Sequence, residues 1–301
     1  SAAIDKYVYV TINKHFEDTY LLKYSKSERV NEVQEIQHPI IRSIFSVLGI
    51  DSGIEMTTFM DLPSKTGLGS SSSFTVGLIH ALYAVGNHRI TKYELANQAV
   101  CIERLILKEA GGIQDQYIAS YGGIQDIQID RSGKVDISPP KISFDTLLNL
   151  EDGLMMFYTG IERESYKVQE QVSVHIEHSK TAIYHLDKIK EIGMESLDAL
   201  ISGNLERFGC LLDEHWQEKR PLYGGISSTD IDRVYKLGKV NGALGGKIVG
   251  AGGGGFLLFF CMDRQDDLRR AMRSEGLKEL RFRLERRGGS TVVVNSKEIR
   301  Q

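Results

Sequence analysis

With 301 residues, 41% of them hydrophobic and 26% charged, the chain has the length for two domains and the composition of an ordinary soluble globular protein. A net charge of −3 argues against nucleic acid or an anionic membrane as a partner gathered by bulk electrostatics. Cys101, Cys210 and Cys261 lack metal-ligand spacing and read as reduced thiols of a cytoplasmic protein, and Phe256–Met262 is far too short an apolar run to span a membrane.

In chain order, Tyr7–Ile12 and Thr19–Tyr24 are rich in β-branched and aromatic residues and predict a strand pair. Val33–Leu48 carries apolar residues at helical spacing, with Pro39 bending or beginning the helix. Ile54–Met60 predicts a strand that runs into Pro63-Ser-Lys-Thr-Gly-Leu-Gly-Ser-Ser-Ser72. In this stretch Gly67 and Gly69 let backbone N–H groups approach a neighbour, and the serines open a helix whose free amides form an anion site. Neither the P-loop nor the dinucleotide fingerprint fits, because Lys65 precedes the glycines and Ser72 stands where a third glycine would be needed. Taken alone, the motif is equally a serine-capped core helix after a tight turn.

A second helix is predicted over Lys92–Lys108, with Leu95, Ala99, Ile102 and Ile106 on one stripe. Glu103 falls inside that apolar arc, while Arg104 and Lys108 point away. A carboxylate on a buried face needs a partner, and Mg²⁺ or an ion pair would both serve. Asp115 sits between the pairs Gly111-Gly112 and Gly122-Gly123. It can accept a proton from a substrate hydroxyl, or it can shape an Asx turn or helix cap. A strand over Ile124–Ile129 follows, and Pro139-Pro140 with Glu151-Asp152 mark a junction between domains 1–150 and 151–301.

The second half reads as a separate α+β unit. Leu154–Tyr158 is a strand, and helices cover Glu162–Lys190, Met194–Ile201 and Leu205–Glu218, with another capped at Ser228–Asp230. Gly250 and Gly252–Gly255 precede the apolar strand Phe256–Phe260 and require either close backbone approach or a tight hairpin. A helix over Asp267–Ser274 and strands at Leu280–Leu284 and Ser290–Val294 complete the chain.

Four ordered motifs resemble the GHMP kinase superfamily: Pro63–Ser72, Ile102-Glu-Arg104, Gly112-Ile-Gln-Asp-Gln116 and Gly250-Ala-Gly-Gly-Gly-Gly-Phe256. The segments Thr159–Ser165 and His215-Trp-Gln-Glu-Lys219 resemble its D-glycero-D-manno-heptose 7-phosphate kinase branch. The resemblance implies a two-domain α+β fold, with an N-terminal domain like ribosomal protein S5 domain 2 and a ferredoxin-like C-terminal domain. It implies ATP and Mg²⁺ as cofactors and a small-molecule sugar or sugar phosphate as acceptor, with L-fucokinase, mevalonate-type kinase or a non-catalytic paralogue as alternatives. By position, Thr66, Gly67, Leu68, Gly69, Ser70, Ser71 and Ser72 bind ATP phosphates, Ser71 and Glu103 hold Mg²⁺, and Asp115 is the catalytic aspartate. Gly252 and Gly253 support the active site on the substrate side, and Arg163 and Lys219 hold a phosphate on the acceptor. The superfamily opens with a strand and a Gly-Gly-Gly-Thr-Asp-type motif. Ser1–Lys6 matches the stretch just downstream, so that motif is expected ahead of Ser1.

Overall fold

The computed structural model describes residues 1–162 and 165–290. Its described residues fall into two compact units: 1–64, 69–127 and 284–290, and 65–68 with 128–283. This division differs from a single junction near residue 150. The Pro139-Pro140 stretch leads straight into a helix of the second unit, and the chain returns to the first unit at Leu284.

The first unit is built on a four-stranded sheet: β1 (Val8–Lys14), β2 (Tyr20–Lys23), β3 (Ser27–Val30) and β4 (Ile54–Met60), in the order β1-β4-β2-β3. β1 and β4 pair antiparallel with Val10 opposite Thr58, and β2 runs parallel to β4 with Leu22 opposite Met56. A single 3-10 turn over Val33–Glu35 precedes α1 (Pro39–Leu48). Pro39 begins this helix, at a position where a missing N–H costs nothing, and Gly49 ends it in the left-handed conformation. Helix α2 (Ser70–Val85) buries Phe74, Val76, Leu78, Ile79 and Leu82 against Met56 and Ile44 in one apolar core. α3 (Lys92–Val100) opens with a reciprocal Thr91–Glu94 capping box. α4 (Gln114–Tyr121) ends at Gly122, where a Cβ would meet the Gly288 amide nitrogen at 2.1 Å. The Gly122-Gly123 pair thus serves close passage of the returning chain, and Gly123 N donates to Glu285 O at 2.6 Å.

The expected Lys92–Lys108 helix changes character midway. Residues Cys101–Ile106 form a π-turn, which rotates the register of everything after Val100. The apolar stripe therefore ends at the buried Ile102, and Ile106 is exposed.

A two-stranded hairpin follows, β5 (Asp126–Ile129) with β6 (Val135–Ser138). The second unit then carries α5 (Phe144–Gly153), β7 (Leu154–Tyr158), α6 (Ser165–His178), α7 (Lys180–Ser202), α8 (Leu205–Lys219), α9 (Thr229–Val240), β8 (Gly245–Ile248), β9 (Phe256–Phe260), α10 (Gln265–Ser274) and β10 (Lys278–Leu280). Its sheet is antiparallel, in the order β10-β7-β9-β8, with Met156 of β7 opposite Leu258 of β9. Phe157, Phe259, Trp216, Tyr235 and Leu268 are buried in its core. Helix α7 runs through Gly193 where a break was expected; the break falls instead at Ser179, which caps α7 through Ala182 N. The strand expected at Ser290–Val294 lies outside the described residues apart from Ser290 itself. No helix among the described residues is long and apolar enough to cross a membrane.

Contact between α8 and β8 is unusually close. A Cβ on Gly245 would stand 2.0 Å from Gly209 O, so only glycine permits this approach.

Candidate active site

In the first unit the stretch read as an anion site falls at the start of α2. Gly69 is its N-cap, with φ of +69°, and a Cβ there would lie 3.5 Å from the Asp115 carboxyl carbon. Asp115 sits in the first turn of α4, so its carboxylate is placed at the positive ends of two helices. Even so, burial and the nearby Glu103 raise its pKa above the usual aspartate range, with Arg104 opposing the shift. A carboxylate held this way binds a proton more readily than an exposed one.

Beneath it lies a buried polar network. Ser72, Glu103 and Gln116 are 4%, 1% and 0% exposed. Ser72 Oγ donates to Glu103 Oε2 at 3.0 Å, and Gln116 Nε2 donates to the same oxygen at 2.6 Å and to Ser72 Oγ at 3.0 Å. Glu103 Oε1 has no hydrogen-bond partner although it is buried. A buried anionic oxygen left unpaired is costly, and a cation is the partner that such an atom accepts best.

The serine bonded to Glu103 is Ser72, a contact the sequence did not indicate, while Ser71, read as an Mg²⁺ ligand with Glu103, is exposed one position earlier, about 100° away around the helix. One detail differs from the sequence expectation. Arg104 does not point away. Its Nη2 lies 3.8 Å from Glu103 Oε2 and donates to Gly112 O at 2.8 Å, while Nη1 donates to Glu109 O at 3.2 Å. The π-turn explains this, since it rotates residue 104 inward onto the 109–112 loop.

No group of three or more His, Cys, Asp or Glu among the described residues could hold a metal alone. Mg²⁺ does not need one, since it binds through one or two carboxylates plus phosphates and water. Glu103 with a serine hydroxyl fits that demand.

In the second unit the glycine loop packs on the chain ahead of α2. A Cβ on Gly255 would stand 2.1 Å from Thr66 O, one on Gly67 2.9 Å from Val249 O, and one on Gly250 2.5 Å from Gly67 O. The close approach inferred for these glycines is thus to the backbone of Thr66 and Gly67. Gly252 and Gly253 are buried, and Gly253 N donates to Ile226 O at 2.7 Å, so its amide is already engaged. These two glycines shape the loop. Lys219 Nζ donates to Gly250 O, which ties the end of α8 to the same loop. Arg163 lies outside the described residues.

Three comparisons agree with this geometry. The model of the GHMP kinases N terminal domain matches residues 31–123, and that of the GHMP kinases C terminal matches residues 196–278. The chain belongs to the GHMP kinase family. It is similar to the D-glycero-alpha-D-manno-heptose 7-phosphate kinase of Campylobacter jejuni, with 32% identity over 72% of this chain and 64% of that one. It is also similar to the bifunctional fucokinase/GDP-fucose pyrophosphorylase of Arabidopsis thaliana, with 26% identity over 83% of this chain and 24% of that one. The chain thus spans less than two thirds of the length of these relatives. A crystal structure of a D-glycero-D-manno-heptose 1-phosphate kinase from Bacteroides thetaiotaomicron has the same fold, with a TM-score of 0.78, 22% identity and coverage of 97% of this chain and 90% of that one.

Proposed function

We propose that this protein is an ATP-dependent sugar kinase that phosphorylates the anomeric hydroxyl of D-glycero-D-manno-heptose 7-phosphate. The observation that supports this most is the Asp115 carboxyl set against Gly69 at the start of α2, above a buried Glu103 with one unpaired oxygen. In this reading the backbone amides of Thr66–Ser72 hold the ATP phosphates, aided by the helix dipole. Glu103 with Ser72 or Ser71 would hold Mg²⁺, which when bound neutralises charge on the phosphates.

Asp115 orients the acceptor hydroxyl and takes its proton. The hydroxyl oxygen forms a bond to the γ-phosphorus, the bond from that phosphorus to the bridging oxygen breaks, and its electron pair leaves with ADP. Positioning supplies most of the acceleration, so the rigidity of the Ser72–Glu103–Gln116 network matters more than any single proton transfer. The choice of heptose 7-phosphate rests on the Campylobacter jejuni relative and on Lys219.

The test is an ADP-release assay of the full-length protein with heptose 7-phosphate, free heptose, L-fucose and mevalonate. Fastest turnover with heptose 7-phosphate supports the reading. Faster turnover with L-fucose or mevalonate overturns the acceptor, and no turnover with any of the four contradicts the kinase.

A further inference from the structure

The second unit holds a group of basic side chains with no anionic partner among the described residues. His215 and Lys219 lie one turn apart on α8, and Lys247 is on β8, the strand that Gly209 and Gly245 allow to lie directly against that helix. Lys219 donates only to Gly250 O, and Lys247 makes no hydrogen bond or ion pair among the described residues. His215 Nδ1 is buried without a partner. The surrounding carboxylates are committed elsewhere. Asp213 holds Tyr235 and Lys239, Glu214 holds Arg207, Glu218 holds His185 at 2.7 Å, and Asp232 holds Arg220 at 2.8 Å.

Burial pulls Lys247 down to about 8, and burial with the Lys247 charge pulls Lys219 down to about 7. His215 is pushed well below the usual imidazole range by burial and by both lysines, so it is neutral and offers one ring N–H. Cations kept close together against repulsion and desolvation are complete only with a multivalent anion between them. Two ammonium groups and a neutral N–H match a phosphate monoester, which carries close to two negative charges at neutral pH.

We propose that Lys219, Lys247 and His215 form the pocket for a phosphate monoester dianion carried by the acceptor sugar. This rests on, and deepens, the sugar-kinase reading: it adds Lys247 and His215 to Lys219 and makes the remote phosphate the basis of acceptor selection. Lys247 comes three residues before Gly250, whose carbonyl Lys219 holds, so the pocket and the glycine loop share one short segment of chain.

The experiment is calorimetric titration of the full-length protein, without turnover, using inorganic phosphate, free heptose, heptose 7-phosphate and ATP. Wild type and Lys247→Met are compared in two buffers of different ionisation enthalpy, with Lys247→Arg keeping the charge and unfolding midpoints recorded for all three. The proposal expects wild type to bind heptose 7-phosphate at least about tenfold more tightly than free heptose, the range of one charge-assisted hydrogen bond. It expects proton uptake on binding at pH 8, because the two lysines regain protons when the dianion enters. Lys247→Met should lose about tenfold or more of the affinity for heptose 7-phosphate and part of the proton uptake while keeping its ATP affinity, and Lys247→Arg should retain more of the affinity. Equal binding of the two sugars by wild type, or unchanged affinity in a folded Lys247→Met, overturns the pocket. A loss confined to ATP assigns the cluster to the nucleotide and also overturns it. Selective binding without phosphoryl transfer would leave the pocket standing and remove the kinase reading instead.

Discussion

Ser72 and Glu103 are joined by a buried hydrogen bond of 3.0 Å that ties the first turn of α2 to the π-turn after α3. This bond aims one carboxylate oxygen at its protein partners and leaves Oε1 buried without a hydrogen-bond partner, the atom that the proposed Mg²⁺ would take. Because Ser72 and Gln116 both donate to Oε2, a glutamine at position 103 can still accept both bonds through its amide oxygen. Glu103→Gln is therefore expected to fold with a near-normal unfolding midpoint while needing at least about tenfold more Mg²⁺ for half-maximal activity. Titrating activity against Mg²⁺ in both proteins checks this; a lower midpoint with unchanged Mg²⁺ dependence would return Glu103 to an ion-pair role with Arg104.

Asp115→Asn separates chemistry from stability. Turnover should fall about a hundredfold or more, with ATP affinity nearly unchanged. The sign of the stability effect follows from the raised pKa: between the ordinary aspartate value and the folded value, the folded state binds more protons. Stability from this group is thus present at low pH and lost as pH rises through the folded pKa. At neutral pH the substitution should leave the unfolding midpoint equal or higher. A lower midpoint with near-normal turnover would make Asp115 a turn former.

The glycine loop gives a third test. Gly255→Ala places a methyl 2.1 Å from Thr66 O at φ of +82°, so both the conformation and the backbone contact oppose it. Gly133→Ala at φ of +84° meets nothing within 4 Å and carries the conformational cost alone, about 1–2 kcal/mol. Gly255→Ala should lose more stability than Gly133→Ala and should alone weaken ATP binding. Comparing chemical unfolding and ATP titrations of the two variants measures the difference.

Much of this was legible in the sequence. Ile54–Met60 and Leu154–Tyr158 are strands where β-rich runs predict them, and the serine run opens α2 after the glycine turn, with Gly69 rather than a serine as the N-cap. Helical spacing alone placed Glu103 on the buried face. It did not reveal the π-turn, whose register depends on packing, so Arg104 was turned the wrong way. Choosing between Ser71 and Ser72 required knowing which one faces Glu103, and adjacent serines give no such signal. Gln116 was hidden because a glutamine beside a candidate aspartate has many innocent uses. Helix α5 was lost to the Pro139-Pro140 and Glu151-Asp152 boundary signals, although Ser143 caps it through Thr146 N. Lys247 carries no local pattern, and only the pairing of β8 with α8 brings it near Lys219.

That pairing yields a pH prediction for the unliganded protein. Lys219 and His215 on α8 and Lys247 on the adjoining β8 are all buried enough for their pKa values to be lowered, while Asp213, Glu218 and Asp232 are engaged elsewhere. With folded values of about 7 and about 8 against an ordinary 10.5, the unfolded chain binds more protons between those limits. Stability should therefore rise as pH climbs from about 7 toward 10, and Lys247→Met should flatten the slope. Urea midpoints across this range check it; a slope identical in the variant would show that burial does not hold the Lys247 ammonium below its ordinary range.

The most direct test of the central claim is ³¹P NMR of the full-length protein incubated with ATP, Mg²⁺ and D-glycero-D-manno-heptose 7-phosphate. The expected products are ADP and a sugar whose new phosphomonoester signal is coupled to the anomeric proton, with no such signal for Asp115→Asn over the same period. A new signal on another carbon would contradict the assigned hydroxyl, and ATP left intact beside unmodified heptose 7-phosphate would contradict the proposed reaction on this acceptor.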